Sequence, residues 1–547
     1  MGGVAASLQA FGRVFKNPPV RNLQLAGAGS TLGIWAYGVA LPVYAYHAGG
    51  ARAVGLLFFV RFVLGAAAGP WIGVLVDRRS RRTVMLASDL LRCAILTGMT
   101  VVAITGGNAY AIYVLAVLST IVASAYSPAQ AALIPTLVDS PDELTAANVV
   151  GNTIGTVGMF AGPALGGVLL ALSGPAAVFA LTAALTLWSA AFVLGVPRDQ
   201  PPEQSAERPH FVTEMTAGFK IMIHRPALRV VMGLSGAQAL VDGALEVLLV
   251  VLALQLLHGG NGTLGWLNTA IGIGSIIGAV VVAALAARRR LAGGFAIGLL
   301  LSSVPLAILA AVSSLAPALI LVAALGAGTT FSQVNSRTLL QRSTDKEVMG
   351  RVFAVLESLL LTGLAVGSLA APAVISWLGP RSALIAIGAL LPVLVLIFWP
   401  SLRRIDAEAV IAAEPLELLR RIEIFAELPE PVLERLAVAA TAVSVAAEGV
   451  VVERGEVGNH FYAIAAGKAA VDRDDGTTRE LGPGDFFGEI ALLRDVPRTA
   501  TVRALEPLKL FALEREEFLL AVTGHAPSLA TAENVVMSLL PAGALAG

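Results

Sequence analysis

The sequence predicts two folds on one chain: an all-α polytopic membrane bundle of 12 transmembrane helices in two six-helix halves, then a C-terminal cytoplasmic β-roll with flanking helices. Three observations predict it. Of 547 residues, 56% are hydrophobic and only 14% charged, against the roughly 45–50% apolar content of a soluble domain. The formal net charge of zero is a cancellation: residues 1–404 carry 25 Lys and Arg against 14 Asp and Glu, and residues 405–547 carry 12 against 23. Long apolar runs fill the first region, and short runs punctuated by glycine fill the last. Opposite charge and different hydrophobicity point to two solvents.

Residues 1–21 lack an apolar core and read as a short amphipathic cytoplasmic segment, not a signal peptide. Apolar stretches of about 19–27 residues then recur, each long enough to cross a hydrocarbon core of about 30 Å. They are 22–47, 51–76, 83–105, 109–132, 147–172 and 175–195 in the first half (22–195), and 229–257, 262–287, 292–313, 316–340, 351–377 and 381–400 in the second (229–400). Between the halves lies a polar cytoplasmic loop, 196–228, with Pro201 and Pro202. Alternate loops hold 20 bases, among them Arg13, Arg78, Arg79, Arg208, Arg288 to Arg290 and Arg403, while the opposite loops hold only Arg52 and Arg381. That bias puts both termini in the cytoplasm of a cell whose plasma (inner) membrane the chain spans. Cys93 is the single cysteine, so no intrachain disulfide forms and no zinc or thiol pair is expected. No metal site and no nucleic-acid partner is expected; membrane lipid is.

After the second span comes Gly73-Val-Leu-Val-Asp77-Arg78-Arg79-Ser-Arg81-Arg82. This resembles the loop signature of the major facilitator superfamily. The resemblance implies that Asp77 meets the cytoplasmic start of the eleventh span at Gly350-Arg351, and that Arg78, Arg81 and Arg82 join a charge network holding the outward-facing state. Helix N-terminal amides at Arg351 would suit a carboxylate. In the fifth span, Gly151, Gly155, Gly158 and Gly162-Pro163-Ala-Leu-Gly166-Gly167 look like the antiporter signature of the family's exporters, with a departure in the upstream glycine spacing. Generic close packing of small residues is the other reading. Ser127-Pro128 to Pro135 and Gly350-Arg351-Val-Phe are similar to the bacterial efflux-type subgroup. The fourth span has no charged residue, so the arginine that many proton antiporters carry there is missing.

Ionisable groups inside a span are costly and face the interior, where they serve substrate or coupling ions. Asp89 and Arg92, three residues apart, are expected to pair on one helix face. Arg337 and Glu357, near cytoplasmic span ends, are expected to form a gating or structural ion pair. Asp242 lies near the middle of the seventh span with Glu246 one turn on. Two such carboxylates would share one proton, as a proton-coupled carrier needs, and Arg61 is the comparably deep cation. A structural pairing of the acids with Arg61 is the alternative.

Residues 401–413 read as a linker and 414–547 as the cytoplasmic domain. Helices from Pro415 to Leu436 give way beyond Val443 to strands punctuated by Gly449, Gly455, Gly467, Gly482 and Gly488. In Phe487-Gly488-Glu489-Ile490-Ala491, followed by Arg498-Thr499-Ala500, a strand ending in glycine opens a short helix, with an arginine nine residues after a carboxylate. This resembles the phosphate-binding cassette of cyclic-nucleotide-binding domains. By that resemblance Glu489 binds the ribose 2′-hydroxyl and Arg498 the cyclic phosphate, assisted by amides around Ile490, Ala491 and Ala500. Thr499 occurs in binders of cAMP and of cGMP, and the expectation leans to cAMP as a regulatory ligand, with no cofactor. No Walker loop, metal cluster or Ser/His/Asp constellation suggests an enzyme. The expected protein is a proton-coupled exporter of an unknown small molecule, regulated by a cyclic nucleotide. The alternatives are a non-transporting, membrane-tethered nucleotide receptor, or an exporter of the nucleotide itself.

Overall fold

A computed structural model describes residues 16–539, apart from 139, 200–218, 221, 286–290, 343, 345, 412 and 473–476. Arg13, Arg208, Arg288 to Arg290 and the side chain of Asp77 lie outside the described residues. The chain divides into two compact units, Met1–Arg403 and Arg404–Gly547.

The first unit is helical: α1 (Pro18–Arg78), α2 (Arg81–Thr105), α3 (Ala109–Ala123), α4 (Tyr126–Leu133), α5 (Pro141–Leu194), α6 (Pro226–Val251), α7 (Thr263–Leu285), α8 (Leu291–Ile308), α9 (Leu315–Arg342), α10 (Lys346–Leu378) and α11 (Pro380–Ile411). Among the described residues 10 helices are long and apolar enough to cross a membrane, where the sequence leads one to expect 12. The two longest candidate spans, of 52 and 54 residues, would each reach about 80 Å at 1.5 Å per residue. Each leaves helical geometry partway. In α1 the break is at Gly49 and Gly50, with φ of 65° at Gly50; in α5 it is at Gly174, with φ of 77°. Left-handed backbone is open to glycine at little cost, and both breaks fall where the apolar pattern separates two spans.

Caps start the helices where polar residues interrupt the apolar runs. The Ser80 Oγ accepts from the Thr83 amide and opens α2; the Ser140 Oγ accepts from the Glu143 amide and opens α5. Helix α6 is buried nearly all round, which places Asp242 and Glu246 inside the bundle. Large apolar side chains such as Trp71 and Trp377 are exposed, as the lipid-facing surface of a bundle requires.

Two expectations are corrected. Helix α10 begins at Lys346, a turn before Gly350, so the amides of Gly350 and Arg351 fall within the intrahelical ladder and are not free for Asp77. Residues 401–411 of the expected linker continue helix α11.

The second unit opens with α12 (Ala413–Arg421), α13 (Glu423–Ala426) and α14 (Glu430–Ala439). Strands β1 (Thr441–Val445), β2 (Val450–Val452), β3 (His460–Ala466), β4 (Ala469–Asp472), β5 (Thr478–Leu481), β6 (Phe486–Phe487), β7 (Thr501–Ala504) and β8 (Leu508–Glu514) form two four-stranded sheets, ordered β1-β8-β3-β6 and β2-β7-β4-β5. All pairings are antiparallel. Helix α15 (Glu489–Arg494) lies between β6 and β7, and α16 (Arg515–Thr523) and α17 (Ala526–Leu539) follow β8. The period of two along β3 divides the core. Tyr462 and Ile464 face the inter-sheet core with Val452, Phe487 and Leu510. Phe461 and Ala463 face the helices, where Phe425, Phe461 and Phe518 pack ring to ring.

Candidate functional site

The membrane unit holds an open-sided cavity of about 400 Å³ lined by Trp35, Phe58, Arg61 and Phe62 of α1, Arg92 of α2, Glu246 of α6 and Asn268 of α7, among others. Arg61 makes three contacts. Its Nε donates to the Thr120 Oγ1 at 2.8 Å, and its guanidinium sits 5.6 Å from the centre of the Tyr37 ring and 5.5 Å from that of Phe58, within cation–π range. The Thr120 hydroxyl in turn donates to the Ala116 carbonyl. Glu246 is near enough for the Arg61 charge to act on it, but no ion pair within 4.0 Å joins them among the described residues. Asp242, one turn earlier and half-buried, is not among the lining residues. The fold therefore brings Arg61 and Glu246 to one cavity and leaves Asp242 beside it.

Asp89 and Arg92 diverge. Asp89 is fully buried and accepts from the Ser189 hydroxyl at 2.6 Å, and Ser189 shares a 3.0 Å hydrogen bond with Tyr126. The Arg92 Nη1 donates to Ser30 at 3.2 Å. Residues three apart point about 60° apart around a helix, and each is claimed by a different neighbour. No ion pair joins them among the described residues.

At the arginine-rich loop, Gly73 stands in open space and Arg78 is exposed. Arg82 turns to its own half: its Nε and Nη2 donate to the carbonyls of Val193 and Leu194 at 3.2 and 2.8 Å, capping the end of α5. In return Asp199 accepts from the Ser80 hydroxyl at 2.6 Å, the Arg81 amide at 2.7 Å and the Arg82 amide at 3.1 Å. Partial burial pushes the Asp199 carboxyl up, but these donors outweigh it and hold it below the usual carboxylate range. Arg337 and Glu357 do pair, at 3.0 Å, with side chains 55% and 53% exposed. They join α9 to α10 within one half, so the pair does not bridge the halves. Arg351 is exposed.

In the second unit, β6 pairs with β3, setting Tyr462 opposite Phe487 with rings stacked at 5.1 Å. Gly488 then turns the chain with φ of 98° into α15. A Cβ there would meet the Arg498 side chain and the His460 carbonyl. Glu489 follows, 3% exposed, and its Oε2 has no hydrogen-bond partner. Burial pushes its carboxyl up to about 7, against its own amide, Arg498 and Arg479. Arg498 is 6% exposed; it donates to the Gly488 carbonyl at 3.2 Å and the His460 carbonyl at 2.7 Å. Its guanidinium lies 5.8 Å from the centre of the Tyr462 ring, and burial pulls its pKa down. Ala491 is buried, Ile490 and Ala500 are half-buried, and Thr499 is exposed. An orphaned buried carboxylate oxygen beside a buried guanidinium fits a ligand that brings a hydroxyl donor and an anion together.

Residues 62–425 match the family described as transmembrane secretion effector. The chain belongs to that family. A transporter domain of the major facilitator type is thus followed by a cyclic-nucleotide-binding domain, matched over residues 442–523. The second domain is similar to cAMP-dependent protein kinase regulatory subunits. That of Yarrowia lipolytica is 37% identical over 102 residues, 18% of this chain and 27% of that protein. That of Eremothecium gossypii is 46% identical over 69 residues, 12% of this chain and 15% of that protein. The chain thus spans about a quarter or less of these relatives. Among solved structures, the regulatory domain of Toxoplasma gondii PKA with cAMP is 28% identical, covering 23% of this chain and 48% of that one, with a TM-score of 0.21.

Several residues of this secretion-effector chain escape sequence reasoning. Thr120 and Asn268 are ordinary polar residues in apolar spans, and Arg61 meets Thr120 across 59 residues. Asp199 was visible only as one of four acids in a polar loop. Tyr462 also escapes sequence reasoning, because its ring meets Phe487 and Arg498 only through the pairing of β3 with β6.

Proposed function

We propose that this chain is a secondary active exporter, driven by a proton gradient, whose transport activity is set by a cyclic nucleotide bound to its C-terminal domain. The bundle crosses the inner membrane twelve times, α1 and α5 each counting as two crossings divided at their glycine breaks, and both termini lie in the cytoplasm. The observation that carries this reading is the presence on one chain of an intrabundle cavity faced by Arg61 and Glu246 and a buried Glu489 and Arg498 poised for a nucleotide. Arg61 and Glu246 take the substrate or coupling-proton role, with Asp242 assisting from one turn away.

Kinship with cAMP-dependent regulatory subunits favours cAMP over cGMP. The ribose hydroxyl donates to the orphan Glu489 Oε2, and the cyclic phosphate takes the Arg498 guanidinium. Binding alters transport only through its difference in affinity between the carrier's states. Purified full-length protein in proteoliposomes, assayed on a substrate panel with and without cAMP, tests this. A cAMP-dependent change in rate that disappears in Arg498→Ala is expected. Unchanged rates would leave a tethered receptor, and accumulation of labelled cAMP itself would make the nucleotide the cargo.

A further inference from the structure

The cavity sorts its polar groups by chemistry and by half. On the first half Arg61 lines the cavity; its Nε is committed to Thr120 and its guanidinium lies near the Tyr37 and Phe58 rings, while its Nη groups make no hydrogen bond among the described residues and remain for a ligand. A guanidinium so clamped presents a fixed fork of donors, suited to a planar carboxylate. Arg92 also lines the cavity, with its Nη1 committed to Ser30. The second half contributes acceptors. Glu246 makes no hydrogen bond among the described residues, and the Asn268 Nδ2 donates to the Leu264 carbonyl, which leaves its carbonyl oxygen and one N–H. Trp35, Phe58 and Phe62 line the same cavity. Arg61 and Glu246, on opposite halves, face one space without forming an ion pair among the described residues.

We infer that the transported substrate is a small amphipathic zwitterion of the amino-acid or short-peptide type. Its carboxylate sits on the Arg61 fork, its ammonium on Glu246 and Asn268, and its apolar body against the aromatic wall. This rests on the transporter reading above and deepens it. A ligand of that kind bridges the two halves, and the cavity of about 400 Å³ lies in the range of small-ligand sites.

The test uses four probes with one body: the dipeptide Phe-Phe, its N-acetyl derivative, its C-terminal amide, and the doubly blocked compound. Binding to purified full-length protein in nanodiscs is measured by calorimetry at neutral pH. Loss of either charge is expected to weaken binding at least ~10-fold, the scale of one charge-assisted hydrogen bond. Glu246→Gln is expected to erase the difference between the dipeptide and its N-acetyl form, and Arg61→Gln that between the dipeptide and its amide. Blocking charge makes the probe more apolar, so binding governed by greasiness alone runs in the opposite order. That order, or no binding of the dipeptide at millimolar concentration, overturns the inference. Should either variant fail to fold, the four probes on the unsubstituted protein decide. Gradient-driven uptake into proteoliposomes is read separately: the expected binding order without uptake sinks the transporter reading and keeps the ligand class, whereas uptake favouring the blocked probe does the reverse.

Discussion

At Glu489 one atom ties stability to ligand. The carboxyl titrates near 7 in the ligand-free protein, raised chiefly by burial. A carboxyl raised above its unfolded value binds more protons folded than unfolded, so its contribution to stability is full below the usual glutamate range and is lost as pH rises through about 7. Between pH 4.5 and 7 the loss is of order 3 kcal/mol. Protection of the β3 and β8 amides of the full-length protein, taken as hydrogen exchange relative to the intrinsic base-catalysed rate at each pH, is expected to fall over that window, and that fall to disappear in Glu489→Gln. A nucleotide hydroxyl that donates to Oε2 favours the ionised form, so cAMP affinity is expected to rise with pH up to about 7 and then level off. Asp199 behaves oppositely. Its depressed carboxyl adds stability that is present above the unfolded value and lost as pH falls below it. Asp199→Ala removes the partner of three donors and is expected to cost about 0.5–2 kcal/mol, as lost caps do, read as a lower unfolding temperature in detergent. Glu489 was legible because its motif is local. Asp199 was not, because its partners come from Ser80 to Arg82, more than a hundred residues away.

At the scale of elements, glycines decide where helices meet. A Cβ at Gly167 of α5 would run into Gly262 and Gly265 at the start of α7, and one at Gly55 of α1 into Ser368 and Pro372 of α10. These approaches join the two halves near the loops opposite the arginine-rich ones, the outer side under the proposed topology. The fifth-span motif has a second duty, since Gly158, Gly162 and Gly166 lie against Thr31, Trp35 and Ala36 of α1. Gly167→Leu would force α5 from α7 at a cost of about 1–3 kcal/mol, shifting the carrier roughly 5- to 100-fold toward opening on that side. A cysteine placed at Ser119 in the cavity, in a Cys93→Ser background, is expected to react faster with an impermeant maleimide added outside. The apolar pattern foretold the membrane helices well. It missed where α10 begins, because the charged Lys346 and Glu347 interrupt an apolar run yet are good helix formers.

At the scale of the whole molecule, the membrane unit holds a cavity lined from both halves, and the C-terminal unit holds a cyclic-nucleotide-binding domain. Sequence read both units from composition and motif and singled out Arg61 and Glu246 as charges inside spans, but not Thr120 and Asn268, ordinary polar residues that join them only through helix packing. If the nucleotide regulates transport, its affinity must differ between carrier states, and that linkage can be measured without knowing the cargo. The unsubstituted protein keeps α5 against α7 at Gly167 and Gly265; Gly167→Leu holds them apart. The most direct measurement is cAMP affinity in these two forms of the full-length protein. The account expects them to differ by about fivefold or more, the lower end of known coupling energies. Equal affinity in both forms would contradict it.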